Sequence, residues 1–297
     1  AVSAVARAGE ICRLARNLDR TGAIEEPVAI RAGMLAAEFV RRARALGAEH
    51  IVVGATAAMR GARNGSEVAE VVARQTGVPV RVLTGDEEAR LVYRSVILGL
   101  GRRASRSACV AFDIGGGSTE VVSGVGASAG RWTSLPFGAV SLTERHLRSD
   151  PPAPEEIEAL KSEVRSIIMH DCALMPQQVP VLVGVGGTVT VLASMDRGLS
   201  SYDPVMLEGW CIRSSRLVGL VEQLVGSHHH DRRARQIIGE GRADIVVAGA
   251  IVVSLLLERF PASGLICSTQ GLRYGLVRMA AEEAMGPLEP AGGAPGA

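Results

Sequence analysis

Lysine is nearly missing from this chain: Lys161 is the one lysine among 32 basic residues, and the rest are arginine. That imbalance has no functional reading alone, although arginine suits bidentate phosphate contacts. An excess of either charge is also lacking, since the formal net charge is +1. Neither nucleic acid nor an anionic membrane is therefore expected as the main partner. Paired cysteines are lacking too. Cys12, Cys109, Cys172, Cys211 and Cys267 are odd in number and scattered. None has CxxC or metal-ligand spacing, which argues against a disulfide framework and for a reducing cytoplasm. No apolar run is long enough to span a bilayer and no signal-peptide pattern is seen, so a soluble protein is expected.

What is present is ample core material: 47% hydrophobic and 21% charged residues over 297 positions, enough for two domains. The chain is organised around Cys109-Val-Ala-Phe-Asp-Ile-Gly-Gly-Gly-Ser-Thr-Glu120. Cys109 to Phe112 reads as a buried strand, and Gly115, Gly116 and Gly117 as a tight turn. Ser118 to Val122 reads as the returning strand. Glycines leave backbone N–H groups uncovered, and successive N–H groups facing one way bind anions such as phosphate. Asp113 and Glu120 flank the turn and could hold a hard cation or orient a water. The bland alternative is a glycine hairpin with two surface acids.

In chain order, residues 27–46 predict an amphipathic helix with Ile30, Met34, Leu35, Phe39 and Val40 on one face. A strand at 51–54, a helix at 66–76 closed by Gly77, a strand at 78–83 and a helix from Asp86 to about Leu98 follow. Strand and helix alternate, so this segment predicts a mostly parallel sheet. Asp86, Glu87 and Glu88 occupy the first turn of the last helix, where the macrodipole favours acids. Residues 99–107 read as a polar connector and domain boundary. Beyond the hairpin come a strand at 131–135 and a helix at 155–169. A strand at 179–183 then feeds Gly184-Val-Gly-Gly-Thr188, a second site for phosphate at a helix N-terminus. Helices at 214–225 and 242–257, a strand at 265–267 and a helix at 271–283 complete the ordered chain. Residues 286–297 read as a disordered tail.

Three of these stretches occur together: Asp113-Ile-Gly-Gly-Gly-Ser-Thr-Glu120, Gly184-Val-Gly-Gly-Thr188 and Gly85-Asp-Glu-Glu-Ala-Arg90. With Ala55-Thr-Ala-Ala-Met-Arg60, Ser134-Leu-Pro-Phe-Gly-Ala-Val140, Arg242-Ala-Asp244 and Gly271-Leu-Arg273, the chain resembles the exopolyphosphatase/guanosine pentaphosphate phosphohydrolase family. The resemblance spans about Glu10 to Leu276. It implies an α/β, actin-like (ribonuclease H-like) fold of two lobes around a cleft. The lobes would be 1–105 and 106–270, with the last helix, about 271–284, returning to the first.

The implied activity is release of terminal phosphate from polyphosphate with Mg²⁺ or another divalent cation. The alternatives are guanosine pentaphosphate 5′-phosphatase activity and a non-catalytic phosphate- or nucleotide-binding module or truncated inactive form. Glu88 matches the family's catalytic base, and Asp113 and Glu120 its metal- and water-handling carboxylates. Gly115, Gly116, Gly117 and Ser118 match its phosphate loop, and Gly186, Gly187 and Thr188 its second glycine loop. Arg60 and Arg90 are further phosphate-binding or structural candidates. The family's opening Asp-x-Gly-(Ser/Thr)-Asn-Ser loop is not found before Ile11. A lobe without it and its strands would expose apolar surface and favour association; a homodimer is left open.

Each assignment has a plainer competitor. Asp86 or Glu87 could serve the helix dipole as well as Glu88, so the resemblance alone selects Glu88. Thr188 could be an N-cap. Arg273 reads as an anchor for the last helix. His228-His-His230 cannot face one ion together and reads as an exposed polar turn.

Overall fold

The computed structural model describes residues 3–101, 107–239 and 241–285. The tail at 286–297, and most of the 99–107 connector with its 105/106 boundary, lie outside them.

Two sheets organise the described residues. The smaller pairs β1 (Val53–Ala55) with β2 (Val80–Val82) in parallel. It is covered by helices Glu26–Ala45, Ala57–Gly61 and Gly65–Thr76 around Ile24, Ala29, Ala55, Met59, Val68 and Val72. The larger sheet contains β3 (Ala108–Ile114), β4 (Thr119–Val125), β5 (Ser128–Leu135), β6 (Val181–Val185), β7 (Cys211–Arg213) and β8 (Gly264–Cys267). Its order is β5-β4-β3-β6-β8-β7. The β3–β4–β5 meander is antiparallel, β6 and β8 add in parallel, and β7 closes the edge antiparallel. A meander extended by two parallel crossover strands is the arrangement the actin-like expectation requires.

β3 shows why its sequence is apolar without a polar face. Val110, Phe112 and Ile114 point into a core built with helices Pro154–Asp171, Gly187–Arg197 and Val246–Arg259. Cys109 and Ala111, on the opposite face, pack against Ala89, Val92, Tyr93, Val96 and Ile97 of helix Gly85–Leu100. A strand covered on both faces has no solvent side to mark with polar residues.

Helix Gly85–Leu100 thus beds on the six-stranded sheet while its first turn leaves β2. The last helix, Leu272–Met285, packs along it: a Cβ at Gly275 would come within 2.8 Å of Leu91. It also lies on β1, where a Cβ at Gly54 would come within 2.8 Å of Leu276 Cδ1.

One expectation is corrected. Helix Glu26–Ala45 buries Ala29, Gly33 and Val40, whereas Ile30 and Met34 are exposed. A Cβ at Gly33 would overlap Gln75 Oε1 at 2.1 Å, so helix Gly65–Thr76 approaches through small residues and the large apolar side chains turn outward. β7 and the short helices Pro204–Leu207 and His229–Ala234 are additions to the predicted elements.

Candidate active site

The two sheets leave a cleft of about 400 Å³ between them, with Glu88, Asp113, Glu120, Gly115–Ser118 and Thr188 on its walls. Asp113 and Glu120 meet through strand register. They are direct partners across the β3–β4 ladder, where facing Cβ atoms stand roughly 5 Å apart. Like charges so placed repel, and desolvation penalises both charged forms, Glu120 being buried and Asp113 half-buried. The Asp113 carboxyl is accordingly pushed up to about 7, first by burial and then by Glu120, with Arg273 opposing. Burial also raises Glu120, against hydrogen bonds from Ser118 and Ser134. Ser134 Oγ donates to Glu120 Oε1 at 2.9 Å.

The loop joining this pair is held from behind. Gly115 N–H donates to Ser118 O at 2.9 Å, while Ala139 and Val140 N–H donate to the Gly115 and Gly116 carbonyls at 2.9 and 3.0 Å. The first amides of helix Ala139–His146 are therefore spent on fixing the loop. Among the described residues the Gly116 and Gly117 N–H groups have no protein acceptor, and both residues line the cleft. Such free donors suit an anion.

The three acids of helix Gly85–Leu100, equivalent in sequence, separate in space. Glu87 forms the capping box with Thr84 and pairs with Arg81. Asp86 pairs with Arg90 one turn on. Glu88 alone turns into the cleft, 5% exposed, with Arg60 Nη1 3.2 Å from its Oε2. Its carboxyl is raised to about 7 by burial and by Glu120 and Asp113, against the pull of Arg60. A carboxylate poised near neutrality is suited to general-base work. Arg60, on helix Ala57–Gly61, also donates to Leu83 O at 2.6 Å, which fixes its guanidinium.

Because Arg60 lowers the Glu88 pKa, Arg60→Leu should move it further above 7. Carbon-13 NMR titration of the glutamate carboxyls across pH 5.5–9 would measure the shift; an unmoved Glu88 titration would detach Arg60 from Glu88.

The second glycine loop joins β6 to helix Gly187–Arg197. Gly186 has φ 97°, and a Cβ there would meet Asp113 Oδ1 at 2.9 Å, so glycine is required on both counts. Gly186 rather than Thr188 is the N-cap, which removes the plainer reading of Thr188. Gly187 and Thr188 line the cleft beside the first loop, since β6 is the parallel neighbour of β3.

Arg90 stands apart. Its side chain is 68% exposed and tied to Asp86 on the helix surface, away from the cleft. Arg273 does anchor, donating to Ala8 O at 3.0 Å, yet its charge also reaches Asp113. Arg242 lines the cleft unforeseen: burial lowers its pKa, and a Cβ at Gly187 would touch its Nε at 2.7 Å. The only sequence signal for it was its place in the Arg242-Ala-Asp244 stretch. Arg13, also on the cleft wall, makes a two-pronged pair with Asp244 at 2.7 and 3.0 Å. His228 caps a helix beside Asp150, as a surface feature.

Among the described residues no three His, Cys, Asp or Glu side chains converge enough to hold a metal by themselves. Two carboxylates do converge. That donor set fits Mg²⁺, which typically takes one or two carboxylates and completes its shell with water and substrate phosphates.

Two neighbouring glycine loops and three carboxylates in one cleft match the motifs by which the sequence resembles a phosphatase family, and the family model for Ppx/GppA phosphatases matches residues 1–283. The chain belongs to the Ppx/GppA phosphatase family. It is 31% identical over 258 residues to exopolyphosphatase 2 of Mycobacterium tuberculosis, covering 85% of this chain and 80% of that protein. It is 30% identical over 273 residues to exopolyphosphatase 1 of Mycobacterium bovis, covering 89% and 77%. The Aquifex aeolicus Ppx/GppA structure matches with a TM-score of 0.76 at 28% identity, covering 93% of this chain and 88% of that one. An exopolyphosphatase-like protein gives 0.85 at 26% identity, covering 93% and 91%. With these Ppx/GppA structures as neighbours, the fold is the actin-like one, two lobes around a cleft.

Proposed function

We propose that this Ppx/GppA protein is an exopolyphosphatase that hydrolyses the terminal phosphoanhydride bond of inorganic polyphosphate. The observation that carries this reading is the meeting of Glu88, Asp113 and Glu120 in one cleft walled by two glycine loops. Water attacks the terminal phosphorus and the bridging P–O bond breaks. Orthophosphate leaves with a chain one unit shorter. Glu88 takes the proton from the attacking water, and Arg60 holds Glu88 in place. The Gly116 and Gly117 N–H groups and the Gly187–Thr188 helix start hold phosphoryl oxygens, with Arg242 beside them. Asp113 and Glu120 would hold a divalent cation such as Mg²⁺, which when bound supplies neutralising charge to those oxygens.

The curated relatives named above are exopolyphosphatases, which favours polyphosphate over guanosine pentaphosphate. A pure binding module has no use for three carboxylates gathered in one cleft against their own repulsion. We place the division into lobes at residues 1–105 and 106–270, with Glu88 close to the joint. The cytoplasm is the proposed compartment, supported by five free cysteines; among the described residues no helix is long and apolar enough to cross a membrane.

The test is orthophosphate release from long-chain polyphosphate with Mg²⁺, with guanosine pentaphosphate as competitor. Release should stop on chelation by EDTA and fall about 100-fold or more in Glu120→Gln, in line with loss of a group acting on the transition state. A folded protein with no release, or release unaffected by Glu120→Gln, would reject the assignment.

A further inference from the structure

Strand β5 has no part in the reaction described so far, yet one of its faces reaches two functional groups. Trp132 and Ser134 alternate onto the same side of the strand. A Cβ at Gly85 would come within 3.0 Å of Trp132 Cζ3 and 3.9 Å of Ser134 Cβ, so the start of the helix carrying Glu88 rests there. Ser134 is also the register partner of Glu120 across the β4–β5 ladder. Its hydroxyl donates to Glu120 Oε1 at 2.9 Å.

The two carboxylates of the β3–β4 ladder are steadied differently. Asp113 is short and hemmed in by main chain: a Cβ at Gly186 would lie 2.9 Å from its Oδ1, and one at Gly271 would lie 3.4 Å from its Oδ2. Glu120 has one more rotatable bond, and two hydroxyls hold it instead. Ser118 bonds the carboxyl from the loop side, and Ser134 bonds it from β5. An ionised carboxylate offers about four lone-pair directions, so two hydroxyls leave others for a cation. Ser118 moves with the phosphate loop, whereas Ser134 is fixed in a strand. Ser134 therefore sets the Glu120 orientation independently of the loop.

We infer that Ser134 is a positioning residue, whose hydroxyl holds the Glu120 carboxylate in the orientation that receives the divalent cation. This role presupposes that Asp113 and Glu120 hold the cation, as proposed above. Hydrogen-bond partners of metal ligands are typically worth about 10–100-fold in metal affinity, because they orient the ligand. Alanine at position 134 frees Glu120 to turn. Threonine keeps the hydroxyl, and Gly85 has no side chain to meet the added methyl.

Titration of the full chain with Mn²⁺, read by electron paramagnetic resonance without substrate, tests this. Parent protein should bind Mn²⁺, and Glu120→Gln should lose most of that affinity. Ser134→Ala should weaken binding about 10-fold, and Ser134→Thr should return to the parent value. Ser123→Ala removes a β4 hydroxyl that donates to Arg131 O, and it should leave the affinity unchanged. Circular dichroism checks that each variant is folded. Orthophosphate release by Ser134→Ala should approach the parent rate at raised Mg²⁺, as weakened metal binding predicts and a displaced phosphate loop does not. Three outcomes would overturn the role while leaving the cation site in place: Ser134→Ala binding Mn²⁺ like its parent, Ser134→Thr as weak as Ser134→Ala, or a rate that stays low at saturating Mg²⁺. A parent that binds no Mn²⁺, or a Glu120→Gln variant that binds it equally well, would remove the cation assignment and the role of Ser134 with it.

Discussion

Glu88→Gln is expected to lower orthophosphate release from polyphosphate by about 10²–10⁴-fold, the usual range for loss of a general base. The same substitution should make the protein more stable at alkaline pH. Glu88 has a folded pKa of about 7 against an ordinary 4.5, raised first by burial. Below pH 4.5 the carboxyl is protonated folded and unfolded, and its burial carries no charge. As pH rises from 4.5 through 7, the unfolded chain releases the proton more readily than the folded one. Stability is therefore lost across that window and stays lower above it. The shift corresponds to about 3 kcal/mol at most. Glutamine keeps the shape, can still accept from Arg60, and carries no charge. The variant and parent should melt together near pH 4, and the variant higher by pH 8. Scanning calorimetry at the two pH values, beside a phosphate assay, separates the roles. Unchanged turnover would remove Glu88 from the chemistry, and an unchanged melting gap would remove the burial penalty.

Gly138→Ala should lower both stability and turnover, because its new methyl meets the first phosphate loop. Gly138 has an extended backbone that any residue can adopt, so the reason for glycine is contact. A Cβ there would lie 2.5 Å from both Gly115 O and Gly116 C, and 2.7 Å from Gly116 O. These are main-chain atoms of the first phosphate loop, held by amides of helix Ala139–His146, and they have no rotamer to retreat into. Overpacking of this kind costs about 1–3 kcal/mol. Any loop displacement should also cost about 100-fold in turnover, because the donors leave the phosphoryl oxygens. Gly219→Ala is the control. It sits in helix Ser214–Val225 with no atom within 4 Å of the new methyl, and should raise stability by up to about 1 kcal/mol. Paired melts and phosphate assays would read both variants. A Gly138→Ala protein as stable and active as its parent would show that the loop yields.

The centre of the large sheet was legible because β3 and β6 each end in a glycine turn that lines the cleft. Asp113, the Gly115–Ser118 loop and Glu120 could be found that way. Glu88 could not, since three adjacent acids share one helix turn and only packing decides which faces inward. Thr84, Arg81 and Arg90 claim the other two, and no local pattern in the sequence records that. Arg90 kept two readings, phosphate-binding or structural, for the same reason: an arginine one turn from an acid looks alike whether it faces a cleft or water, and its pair with Asp86 fits the structural one. Arg242 was hidden at the frayed start of a helix, where periodicity carries little information. Helix Glu26–Ala45 misled in another way. Its largest apolar residues suggested the core face, but Gly33 and Ala29 permit a close helix approach that Ile30 and Met34 would block. Small residues, rather than greasy ones, mark that buried side.

Glu88 and Arg60 sit on separate elements. Glu88 rides on a helix bedded in the six-stranded sheet, whereas Arg60 stands on helix Ala57–Gly61 beside the two-stranded sheet and donates to Leu83 O. Their 3.2 Å pair therefore ties the proton affinity of Glu88 to the packing of a five-residue helix that carries no carboxylate of the cleft. The carboxyl is tuned from outside the element that holds it, since Arg60 lowers its pKa against burial and its acidic neighbours.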